Sequence, residues 1–144
     1  MNNPLVSCRY IVDSSIWISL LRKDCNPELI TMVARILENS NVVLVCPVLT
    51  EILSGARNEF DFKRLSDKFS VFELLKDGSE IWIATAKMQS ELRNAGFLVP
   101  LMDTLIANYA INYDCILIHN DKHYEIIAKR YPAFTGQRLN FEVK

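Results

Sequence analysis

Three short apolar runs, "CRYIV", "NVVLVC" and "CILIHN", constrain this chain more than anything else in it. Each is continuous rather than alternating, the pattern of a strand covered on both faces. Between them lie longer stretches at helical spacing: "SSIWISLLR", "ELITMVARILENS", "VLTEILSGAR", "NEFDFKRLSDKF", residues 79–94, "LMDTLIANYAINY" and "DKHYEIIAKRY". Pro27, Pro47 and Pro100 stand where helices open. Asp77–Gly78, Gly96 and Pro132 stand where elements turn or stop. Two further strands are expected in "SVFELL" and "QRLNFEV". Buried strands separated by helices imply a three-layer α/β/α sandwich around a mainly parallel sheet of four or five strands.

The bulk numbers narrow the function classes. A length of 144 residues, half of them hydrophobic, predicts one domain over 1–144 with a sizeable core. Lys and Arg total 16 against 17 Asp and Glu, so the overall field does not favour nucleic acid. Contact with nucleic acid then needs a local basic patch or a metal. Cys8, Cys25, Cys46 and Cys115 form no C-x-x-C pair, and His119 and His123 complete no zinc spacing. Cys8, Cys46 and Cys115 sit in apolar runs and read as small buried hydrophobes. The start "MNNPLVSCRY" has neither an apolar signal core nor a charged lead, and no apolar run reaches membrane-span length. A soluble protein of a reducing compartment, the cytoplasm, is expected. There is no Gly-rich phosphate loop of either standard form.

The acids fall in telling places. Asp13 follows the first strand, and Asp121 follows "CILIHN". In parallel α/β sheets, ligands bind beyond the carboxyl ends of strands. Glu51 and Asp103 each follow a helix-opening proline closely, which puts them at the same end of the sheet. Asp103 shares its helix face with Ile106, Ala107 and Ala110, a poor place for a solvated charge. Each acid also has an ordinary reading as a helix cap or first-turn residue. Ser14 or Ser15 can cap the first helix in place of Asp13, and Asn120 competes with Asp121 for the last one. Together, four converging carboxylates repel one another and pay for desolvation, so they need protonation, a basic side chain or a divalent cation. Mg2+ and Mn2+ take such oxygen ligands and leave positions open for water and phosphate.

The segments "YIVDSSIWISLLR", "CPVLTEILSGAR", "VPLMDTLIANYAI" and "CILIHNDKHYEII", in this order, resemble the PIN domain family, and within it the VapC-type toxins of toxin–antitoxin pairs. The likeness covers most of the chain. It implies an Mg2+- or Mn2+-dependent endoribonuclease whose metal site and catalysis rest on Asp13, Glu51, Asp103 and Asp121. The implied mechanism is in-line attack of metal-activated water on an RNA phosphodiester. Ser14 and Asn120 would support the acids. His119 stands where many members carry Thr. His123–Tyr124 matches the family's acidic-or-His plus aromatic pair, with Tyr124 read as packing the last helix. In this reading Asp13 is a metal ligand, and Ser14 or Ser15 does the capping. The likeness also implies a cognate antitoxin protein and a homodimer. The helices "NPELITMVARILE" and "NEFDFKRLSDKF" carry surplus apolar residues for docking. Arg22, Lys23, Arg57 and Lys122 are candidate RNA contacts, with solvated surface charge as the alternative for each. Trp17 and Trp82 can stack a base, but their helical neighbours favour packing. Two rival functions are an RNA-processing nuclease outside toxin–antitoxin pairs and a non-catalytic binding module on the same fold.

Overall fold

The structure is a computed structural model and describes residues 8–141. The elements in chain order are β1 (Arg9–Val12), α1 (Ser14–Leu21), α2 (Pro27–Asn39), β2 (Asn41–Leu44), α3 (Cys46–Ser54), α4 (Glu59–Phe69), β3 (Glu73–Leu74), α5 (Ser79–Asn94), α6 (Leu101–Asn112), β4 (Ile116–His119), α7 (Lys122–Arg130) and β5 (Thr135–Arg138). Five strands form one sheet in the order β3-β2-β1-β4-β5, and every pairing is parallel. All carboxyl ends therefore emerge at one edge, as the sequence implies. The chain leaves β1 towards β2 and β3, then crosses back to β4 and β5. The reversal puts a crevice between β1 and β4. Right-handed crossovers send the helices of the two halves to opposite faces. Correspondingly, α1, α3 and α4 pack on one another, and so do α5, α6 and α7.

The apolar runs explain the centre of the sheet. Ile11, Val12, Val43, Leu44, Leu117 and Ile118 are all at most 1% exposed. The helix α6 is buried from Thr104 to Ala110 because small and apolar residues surround it on nearly every side. It ends at Tyr113, and α5 ends just before Gly96, whose positive φ of 88° suits glycine.

The outer strands differ from expectation. "SVFELL" narrows to Glu73–Leu74, although the Leu75 N–H still donates to the Leu44 carbonyl at 2.8 Å. The last strand is Thr135–Arg138, earlier than "QRLNFEV", whose final residues 142–143 lie outside the described residues. All four β5 residues are exposed, so no apolar pattern marks them; Leu139, just beyond, is the one that buries. The cysteines also split: Cys115 is buried, Cys46 opens α3 half-buried, and Cys8 is exposed. Among the described residues, no helix is long and apolar enough to cross a membrane.

Candidate metal centre

Asp13 is the first residue past β1, and its N–H donates to the Ile118 carbonyl of β4 at 2.9 Å. That bond ties the acid to the crevice between the two central strands. Its carboxylate has two jobs. Oδ2 caps α1, accepting from the Ser15 N–H at 3.4 Å and the Ser15 hydroxyl at 2.6 Å. The capping assigned to Ser14 or Ser15 is thus done by Asp13 itself. Oδ1 accepts from the Tyr124 hydroxyl at 2.9 Å. Ser14 is freed from capping and donates its hydroxyl to the Glu51 carboxylate of α3.

Asp103 lies in the first turn of α6, and Asp121 caps α7 through a bond from the His123 N–H at 2.9 Å. Three of the four acids therefore sit at helix N-termini, where the dipoles offset part of their repulsion. His123 Nδ1 lies 3.2 Å from Asp103 Oδ2 and 3.1 Å from Asp121 Oδ1. It is buried and aligned for a hydrogen bond with neither. Asp103, Asp121 and His123 can each turn one ligand atom to within 4.8 Å of the others'. An imidazole nitrogen within 3.2 Å of two carboxylates pairs with them when protonated and can share a divalent cation with them when neutral; the carboxylates suit Mg2+ or Mn2+, and the imidazole favours Mn2+.

The structure thus links all four sequence-predicted acids. Glu51 reaches Ser14, the neighbour of Asp13. Asp13 reaches Asp103 through Tyr124, whose hydroxyl is 3.5 Å from Asp103 Oδ1. Asp103 reaches Asp121 through His123. Asp13 and Glu51 stand outside the group of Asp103, Asp121 and His123. Burial, then the charges of Asp13 and Asp121, push the Asp103 carboxyl up from 3.8 to about 6, with His123 opposing. A folded-state value above the unfolded one means the fold holds this proton longer. The contribution of Asp103 to metal-free stability therefore falls as pH rises from about 4 to about 6. A cation displaces the same proton, so its binding weakens as pH falls through about 6. Calorimetric titration with Mn2+ should show roughly tenfold weaker affinity at pH 5 than at pH 7. An affinity flat across those two values would contradict a ligand role for Asp103.

The buried His119 supports Asp121 from below. The Asp121 N–H donates to His119 Nδ1 at 3.2 Å, which leaves the ring proton on Nε2. Burial holds this imidazole below its ordinary pKa. Gly136 allows the ring its position, because a Cβ there would stand 2.9 Å from Nε2.

Other predicted residues lie elsewhere. Asn120 turns away, its Oδ1 accepting from Arg138 Nε at 3.1 Å. Arg22 and Arg57 do come together, but around a cleft of 540 Å³ shared with Ile18, Ile52, Arg64 and Leu65. None of the four acids lines it. Lys122 is exposed at the start of α7. Sequence reasoning overlooked Arg93, which joins His123 and Phe97 in lining a cleft of 320 Å³. It also gave His123 and Tyr124 no chemical role. Their sequence signals were position, two and three residues after a capping acid, and the match to the family's acidic-or-His plus aromatic pair.

The PIN domain family model matches residues 10–130. No curated protein matches the chain. Among solved structures, VapBC2 from Rickettsia felis bound to a DNA fragment from its promoter shares 19% identity, with a TM-score of 0.73 over 92% of this chain and 99% of that one. VapBC-1 from nontypeable Haemophilus influenzae shares 23%, with a TM-score of 0.72 over 90% and 97%. A toxin–antitoxin complex from Klebsiella pneumoniae shares 16%, with a TM-score of 0.69 over 93% and 99%. The all-parallel sheet, the acids gathered at its carboxyl edge and the span of the family match lead to one assignment: this chain belongs to the PIN domain family.

Proposed function

We propose that this chain is a divalent-metal-dependent endoribonuclease and the toxin of a VapBC-type toxin–antitoxin pair. The observation that carries the reading is the linked set Asp13, Glu51, Asp103 and Asp121, with His123 Nδ1 unpartnered between two of the carboxylates. Asp103, Asp121 and His123 would hold the cation, with Asp13 and Glu51 beside them. When bound, Mg2+ or Mn2+ supplies Lewis acidity towards a phosphodiester oxygen and a lowered pKa for water. The chain's own part is to fix the acids. Asp13 is held by Ser15 and Tyr124, Glu51 by Ser14, and Asp121 through its backbone by His119. The cleft at His123 offers RNA a way in, with the Arg93 guanidinium for phosphate and Phe97 for a base.

The toxin half of the reading draws on neighbours that are toxin–antitoxin complexes and on unusual exposed apolar residues. Phe60 on α4 is 80% exposed and Ile30 on α2 is 50% exposed. An antitoxin strap across these helices would cover them. The chain would act in the cytoplasm as a single-domain nuclease and as a homodimer. The test is cleavage of several RNAs by the purified chain with Mg2+ or Mn2+ and with EDTA. Cleavage that EDTA stops is the expected result. A folded, antitoxin-free chain that cuts none of them and binds neither metal would leave a non-catalytic binding module instead.

A further inference from the structure

We propose that the Tyr124 hydroxyl is a positioning group of the metal centre, pinning the Asp13 carboxylate beside Asp103. This rests on the metal-site reading above. Tyr124 is fully buried in α7. Its ring lies 4.9 Å from that of His119 and stacks at 6.1 Å on Phe134. Phenylalanine would fill that space equally well, so packing does not account for the oxygen. A buried hydroxyl without a partner is unfavourable, and this one is placed where two carboxylates converge, 2.9 Å from Asp13 Oδ1 and 3.5 Å from Asp103 Oδ1. It has one proton to give, and Asp13 receives it. Burial and the adjacent Asp13 charge raise the phenol's pKa, so it remains a neutral donor.

The consequence for Asp13 is a carboxylate held at both oxygens. Ser15 at the head of α1 holds Oδ2, and Tyr124 from α7 holds Oδ1. Oδ2 takes both Ser15 donors, and Oδ1, with Tyr124 alone, keeps a lone pair free. The acid is thereby set in one orientation before any cation arrives, and no charge is added to a site already rich in it. A carboxylate fixed beside the cation that Asp103, Asp121 and His123 would hold governs metal affinity as well as rate, as outer partners of a metal site typically do.

Tyr124→Phe removes only the oxygen. Calorimetry with Mn2+ should show affinity reduced about tenfold or more, with a matching loss in kcat/KM for RNA. The melting temperature without metal should stay close to that of the wild type. Tyr109→Phe serves as the control, because its hydroxyl is also buried but lies towards Asp77 and not towards Asp13, Glu51, Asp103 or Asp121. It should bind Mn2+ like the wild type. Unchanged Mn2+ affinity in Tyr124→Phe overturns the proposal while leaving the nuclease reading intact. An equal loss in Tyr109→Phe overturns it too, since the effect would then belong to the core at large. A folded wild type that binds no Mn2+ overturns the metal reading and this role with it. Should Tyr124→Phe fail to fold, the near-ultraviolet tyrosine dichroism of the wild type decides. A change on adding Mg2+ supports the proposal, and its absence overturns it.

Discussion

Asp103→Asn is expected to cut metal-dependent RNA cleavage about a thousandfold, the equivalent of about 4 kcal/mol of lost charge stabilisation. The same substitution should raise the melting temperature of the metal-free protein at neutral pH. Both effects have one cause. Asp103 stands within the fields of Asp13 and Asp121, in a site that burial makes hostile to a third negative charge. Asparagine removes the repulsion and, with it, the proposed metal ligand. Cleavage assays and thermal melts on one preparation measure the two together. Wild-type cleavage by the variant would sink the assignment of Asp103. Lost cleavage with an equally lowered melting temperature would point to damage of the fold.

Trp17→Ala should be the most harmful tryptophan change, costing about 3–5 kcal/mol of stability. Trp17 is 6% exposed and packs edge-on against Phe69 at 5.2 Å and tilted against Phe72 at 5.5 Å. This cluster joins α1 to the end of α4, and its loss would take a large share of the 5–15 kcal/mol typical of a domain. Trp82 is 49% exposed and gives its indole proton to Asp77 at 2.9 Å. Trp82→Ala should therefore cost less than about 1.5 kcal/mol. Denaturant titration distinguishes the two. Equal midpoints for both variants would contradict the burial pattern. Phe97, in the cleft beside His123, already carries the Arg130 guanidinium over its ring at 5.2 Å.

What the sequence shows and hides follows from the range of each interaction. "NVVLVC" and "CILIHN" announce central strands because two covered faces demand continuous apolar residues. Glycine and proline mark helix ends because their effects act within a few residues. The exposed "TGQR" has no such demand on it, so the expected strand "QRLNFEV" meets β5 only at Gln137 and Arg138. At the site, Asp13 and Asp121 could be suspected from their place after strands. That Asp13 serves as both cap and member of the cluster could not, since one carboxylate with two oxygens satisfies both readings. The Tyr124–Asp13 bond spans 111 residues and leaves no periodic trace. The orphaned His123 Nδ1 is likewise a fact of orientation alone.

That 111-residue span also governs when the molecule can acquire its chemistry. Asp13 leaves the ribosome early, but the partners that orient it are Ile118 of β4 and Tyr124 of α7. Elongation at about 5–20 residues per second leaves several seconds in which the first acid has emerged and its site has not. Pairing β1 with β4 also requires the whole of β2, β3 and the intervening helices to be bridged, the kind of distant contact that slows folding. The nascent chain thus carries its acids apart, and they are brought together only as the last third of the fold closes against the first strand.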